Sequence, residues 1–74
     1  MLKYQTTLVK VNRLQPGDEL IRGEDSGYII RHGHCAFGMR SIYIVDYYMR
    51  GRHITLPAQA KARIRKVVQN HDEG

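Results

Sequence analysis

The chain has no tryptophan, one cysteine, two prolines, one phenylalanine and only seven acidic residues among its 74. Each shortage excludes something. A lone Cys35 cannot close an intramolecular disulfide, and small secreted domains usually carry several. A reducing, cytoplasmic setting is therefore expected. No run approaches the roughly 20 apolar residues of a membrane span. The first five residues lack the apolar core of a signal peptide, so no membrane partner is expected. The glycines do not fall at Walker or Rossmann spacing, which leaves no phosphate-cradling loop. The acids are scattered. Glu24-Asp25 sits in a polar stretch, and Asp18 is placed to cap its own turn. Nothing here suggests an enzyme, and no cofactor is implied.

What is present fits a small folded unit. Hydrophobic residues make up 42% and charged residues 26%, a globular balance. The length suits one domain, residues 1–74, with its core at about 6–68 and a flexible polar tail at 69–74. Five of the six aromatics are tyrosine, whose ring can bury while its hydroxyl stays wet. The net charge is +5 and the isoelectric point near 9.7. That balance favours an anionic partner: DNA, RNA or an acidic protein surface.

The segment Leu14-Gln15-Pro16-Gly17-Asp18-Glu19-Leu20 organises the chain. Pro16 pre-sets φ for the second turn position, and Gly17 accepts positive φ at the third. Leu14 and Leu20 can then both enter a core. Thr6–Val11 reads as a β-branched first strand, and a second runs from Asp18 to Arg22. Gly23–Gly27 is a polar hairpin loop, and Tyr28–His32 a third strand. Gly33–Gly38 should bend or bulge the chain. Met39–Met49 is the longest apolar run. Its β-branched and aromatic content predicts a central strand rather than a helix. Arg50-Gly51-Arg52 reads as a basic turn, and His53–Leu56 as a short strand with Ile54 and Leu56 inward. One turn of 3₁₀-helix is expected over Pro57–Ala60. Ala62–Val68 closes the chain as a strand, with Ala62 and Ile64 inward and Lys61, Arg63 and Arg65 outward. A helix over residues 57–68 is the rival.

Although six segments read as strand, the expected fold is all-β, a small five-stranded antiparallel barrel with a 3₁₀ turn before the last strand. The order resembles the Src-homology-3-like barrel. The pattern Val11-x-x-Leu14-x-Pro16-Gly17-Asp18-x-Leu20 resembles one in small bacterial and bacteriophage-encoded β-barrel proteins. It is also similar to a segment of intein-type domains, but Met1 and Gly74 supply neither the terminal nucleophile nor the terminal Asn of intein chemistry. The resemblance implies a fold more than an activity.

Two constellations bear on chemistry. His32, His34, Cys35 and distant His53 fall short of a structural zinc set, so no metal is assigned. Adjacent His34 and Cys35 face opposite ways on a strand and cannot form a nucleophile–base pair. The basic residues give the stronger signal. Arg50, Arg52, Lys61, Arg63, Arg65 and Lys66 cluster in the C-terminal third, with Lys10 expected on the same sheet. Arg40, Tyr43 and Tyr47 stud the apolar run. Cations that track phosphates, beside tyrosines on which bases stack, suit single-stranded nucleic acid. The expected function is a non-enzymatic nucleic-acid-binding accessory or regulatory module of bacterial or phage type. The alternative is a protein-interaction module or inhibitor docking onto a larger host protein through Tyr43, Tyr47, Tyr48 and Met49, with a homodimer through a strand edge as a variant.

Overall fold

The computed structural model describes residues 2–69 of the chain. Of the expected tail at 69–74, residues 70–74 lie outside them, and Gln69 belongs instead to the last strand. The strands are β1 (Leu2–Lys10), β2 (Glu19–Leu20), β3 (Gly27–Ala36), β4 (Met39–Val45), β5 (Gly51–Pro57) and β6 (Lys61–Gln69). They form one antiparallel sheet in the order β1-β6-β2-β3-β4-β5. The fold is all-β, as expected, but with six strands rather than five. Among the described residues no helix is long and apolar enough to cross a membrane.

The Pro-Gly corner forms as its residue types dictate. Gly17 has φ +95°, and Asp18 N–H donates to the Gln15 carbonyl at 3.0 Å. Asp18 Oδ2 accepts the Gln15 N–H at 2.9 Å, closing the turn from inside. Leu14 and Leu20 are both fully buried at its ends. The corner is tied to β3, where Gly17 N–H donates to Ile29 O and Ile29 N–H to Asp18 O. His32 adds a further tie, its Nε2 on the Leu14 carbonyl.

The core is aliphatic: Val11, Leu14, Leu20, Ile29, Ile42, Ile44, Leu56, Ala62 and Ile64, with Val9 and Ile54 packed against it. In β4 to β6 the buried positions alternate as a pleated strand requires. The helix alternative for residues 57–68 is thereby excluded.

Four expectations are corrected. The apolar run does not stay extended to Met49. It stops at Val45 because Asp46 folds the next residues round its carboxylate: Oδ1 accepts the N–H groups of Tyr48 and Arg50, each at 2.9 Å. Arg52 lies within β5, so Arg50-Gly51-Arg52 is a strand start rather than a turn. Pro57–Ala60 closes with one Ala60 N–H to Pro57 O bond, and the 3₁₀ turns lie at Val11–Arg13 and Gly23–Asp25 instead. Finally, β1 and β5 do not pair to close a barrel. Two features explain this. After Lys10 the chain bonds to the β5–β6 corner, Val11 N–H to Ala60 O and Asn12 N–H to Ala58 O. In addition, Pro57 has no N–H to offer.

The Gly33–Gly38 stretch does bulge, with a register shift between His32 and Cys35. It also ends in a hairpin. Ala36 pairs with Met39, and Phe37 and Gly38 take φ of 55° and 75°. Two positive φ values in a two-residue loop mark a type I′ turn.

Candidate nucleic-acid interface

β6 sits between β1 and β2; β1 runs along its whole length, whereas β2 pairs only at Ile64 and Arg65, with one further bond from Ile21 N–H to Arg63 O. Their β1 partners are Lys10 for Lys61, Leu8 for Arg63, Thr6 for Arg65 and Tyr4 for Val67. One outward strip therefore runs from a cationic end, Lys10, Lys61 and Arg63, to an aromatic end near Tyr4.

Arg65 lies between the two ends and is already engaged. Its Nε donates to Glu19 Oε1 at 3.0 Å and its Nη2 to Oε2 at 2.6 Å. The Tyr47 hydroxyl donates to the same Oε2 at 2.5 Å. Glu19 is opposite Arg65 in the β2–β6 register and is itself buried. The Arg65 hydrogen bonds hold the Glu19 carboxyl below its usual range; burial opposes this, and the Tyr47 hydroxyl reinforces it. The Arg65 guanidinium is correspondingly held more firmly protonated, mainly by Glu19. Burial, and then Glu19, push the Tyr47 phenol up.

Aromatic rings gather round this pair. The Arg65 guanidinium lies 5.2 Å from the Tyr4 ring centroid. Tyr28 meets Tyr47 edge-on, with centroids 6.0 Å apart. Tyr4, Glu19, Tyr28, Arg65 and Val67 line a shallow groove of about 420 Å³. The rings stay open to solvent: Tyr4 is 63% exposed, Tyr28 46% and Tyr47 51%.

The six cations expected to act together separate into three groups. Lys61, Arg63 and Arg65 share the outward face of β6. Lys66 has the opposite parity, following Ala62 and Ile64 beyond the end of the core, yet it also lines the groove between Arg65 and Val67. Arg50 and Arg52 lie at the β4–β5 end, each with a carboxylate. Arg50 Nε is 3.1 Å from Asp46 Oδ2, and Arg52 Nη2 is 2.8 Å from Asp25 Oδ1. Bonds from the Arg50 and Tyr48 backbone, the former larger, help keep the Asp46 carboxyl below its usual range. Among the described residues no carboxylate pairs with Lys10, Lys61 or Arg63.

The tyrosines of the protein-interface alternative also divide. Tyr43 is half-buried on β4, with Arg31 4.6 Å above its ring and His53 beside it. Tyr47, Tyr48 and Met49 form the exposed turn after β4. Arg40 bonds to Asn12 and to the Gly33 carbonyl. His32 turns in to Leu14 while His34 and Cys35 are exposed, and no three metal-ligating side chains converge among the described residues.

Tyr4 and Tyr28 join the strip without a local signal. Tyr4 precedes the expected first strand, although Tyr4, Thr6, Leu8 and Lys10 share one period-2 face. Glu19 as the partner of Arg65 is 46 residues distant in sequence and follows only from the strand order. No family model, no curated protein and no solved structure matches the chain.

Proposed function

We propose that this chain is a non-enzymatic module that binds single-stranded nucleic acid on the outward face of β1 and β6. Lys10, Lys61 and Arg63 meet phosphates, and Tyr4, Tyr28 and Tyr47 offer rings to bases. The observation that carries this reading is the Lys10–Lys61 pair. Like charges directly opposite on neighbouring strands destabilise a sheet, and these two have Arg63 close by and, among the described residues, no acid paired with them. A polyanion supplies the missing counter-charge. Arg65 fixes the groove floor rather than contacting ligand.

The L-x-P-G-D corner and the tight turn between β5 and β6 support a finer reading of the fold. Strands β2 to β6 form an Src-homology-3-like unit of the bacterial and phage type, and β1 is added outside β6. A cytoplasmic accessory or regulatory role agrees with that and with the single cysteine.

Anisotropy of a labelled single-stranded oligonucleotide, titrated at several salt concentrations, tests the function. Three phosphate contacts give a slope of log affinity against log salt near −2, taking about −0.7 per contact. Arg63→Glu should weaken binding by about tenfold or more and flatten the slope. Salt-independent binding, or full affinity in that variant, would remove the proposal.

A second reading has its own observation. Tyr48 and Met49 are 79% and 83% exposed on a turn held by Asp46. A protein partner that covers them would give binding insensitive to salt and lost in Tyr48→Ala.

A further inference from the structure

The sheet has two outer strands, and their free edges differ. In the β1–β6 ladder, Val11 N–H bonds to Ala60 O. The register then turns the backbone groups of the odd β1 residues toward β6. Those of Leu2, Tyr4, Thr6, Leu8 and Lys10 face outward, and among the described residues nothing pairs with them. On β5, Asp46 N–H bonds to Arg50 O, which by the same logic points the odd residues outward. One of them is Pro57, which has no N–H. The β5 edge is short and blunted. The β1 edge is nine residues long, straight in register, and without proline.

Such an edge is a template for another strand. From its residue order we infer that β1 pairs antiparallel with β1 of a second copy of this chain, about a two-fold axis at Thr6. In that register Tyr4 of each copy faces Leu8 of the other, and Thr6 faces Thr6. Gln5 faces Thr7, Lys3 faces Val9, and Lys10 faces the backbone position of Leu2. Aromatic–aliphatic and Thr–Thr pairs are favourable cross-strand partners, and no lysine meets a lysine. Tyr4 and Leu8, 63% and 50% exposed in the single chain, gain neighbours. Every outward N–H and C=O of the edge finds a partner, about ten hydrogen bonds in all. The axis is perpendicular to the sheet, so the interface is isologous and closed. Both copies then present Lys10, Lys61 and Arg63 on the same side.

Sedimentation of the purified chain over a concentration series, without nucleic acid, tests this independently of the function above. A monomer–dimer equilibrium is expected. Thr6→Lys sets two ammonium groups against each other on the axis and should weaken dimerisation about tenfold or more. Its thermal melt should show an intact fold, since Thr6 is exposed. The register is tested by oxidation in a Cys35→Ser background. Thr6→Cys brings two thiols together at the axis and should cross-link. Lys10→Cys keeps its thiols roughly 26 Å apart, eight residues along a strand, and should not. A wild-type chain that stays monomeric overturns the inference. So does Thr6→Lys dimerising like wild type, or Lys10→Cys cross-linking as readily as Thr6→Cys.

Discussion

Two sets of cations share this sheet, and their surroundings differ. Arg50, Arg52 and Arg65 each reach a carboxylate at 2.6–3.1 Å. Lys10, Lys61 and Arg63 reach none among the described residues, and two of them face each other across β1 and β6. The first set is consumed by the fold. Its charges close the Asp46 turn, tie the Gly23–Asp25 turn to β5, and keep Glu19 ionised under the tyrosines. The second set adds no ion pair among the described residues and costs the fold some repulsion. Net charge alone does not separate the two sets; the position of each acid does. Surface ion pairs are worth little in themselves, so the sets should differ most where a pair is shielded from water, at Glu19.

The largest effect on stability is therefore expected there. Glu19→Gln removes the charge and one of the two carboxylate oxygens, which between them accept two guanidinium bonds and one phenol bond. The cost is about 2 kcal/mol, at the low end for bonds to charged groups because Arg65 stays partly exposed. A thermal melt should show a fall of roughly 10 °C. The pH dependence has a definite sign. The folded-state pKa of Glu19 lies below its ordinary value of 4.5. Its contribution is complete above that pH and is lost as pH falls through the folded value. Asp46 behaves alike, below its ordinary value of 3.8. Wild type should melt at nearly constant temperature from neutral pH to about 5 and lose stability below it, and Glu19→Gln should flatten the upper part of that loss. An unchanged acid limb in this variant would break the contrast between the two sets.

The contrast was only half legible in the sequence. Gln15–Asp18 could be read because its whole geometry is set within four residues, by a fixed φ, a permissive glycine and a short carboxylate. The β6 face could be read from Lys61 to Arg65 because basic and apolar residues alternate there. The end of β4 was hidden by Tyr47, Tyr48 and Met49, which continue the apolar run although Asp46 has already turned the chain. The Glu19–Arg65 pair depends on β2 lying beside β6, and no local pattern carries that. All six strands are legible as segments; the count of five belongs to the barrel resemblance, and what no segment shows is that β2 lies on the other side of β6 from β1.

Aromatic residues sharpen the comparison. Tyr47 is held by Glu19 and Tyr28, whereas Phe37 stands fully exposed at the tip of the β3–β4 hairpin with φ 55°. A bulky side chain in the left-handed region costs about 1–2 kcal/mol, and here no burial offsets it. Phe37→Asn would give the Asn-Gly pair that type I′ turns prefer. The melting temperature should rise by roughly 5 °C, for about 1 kcal/mol. Oligonucleotide affinity measured on the same variant places the tip. Unchanged affinity leaves it outside the interface, and a loss alongside the gain in stability makes Phe37 a contact.

The smallest expected change in stability is the most informative. Lys61→Glu replaces a like-charge pair with an opposite-charge pair across β1 and β6. It should stabilise the fold by a few tenths of a kcal/mol. Salt should alter the two melts in opposite directions, since screening relieves the repulsion in wild type and weakens the attraction in the variant. Affinity for the oligonucleotide should fall in the variant even as its fold improves. Loss of stability and affinity together would mean that Lys61 serves the sheet, as Arg65 does, and the division between the two sets would fail. Opposite signs are the signature of a charge kept for a ligand at the expense of the fold.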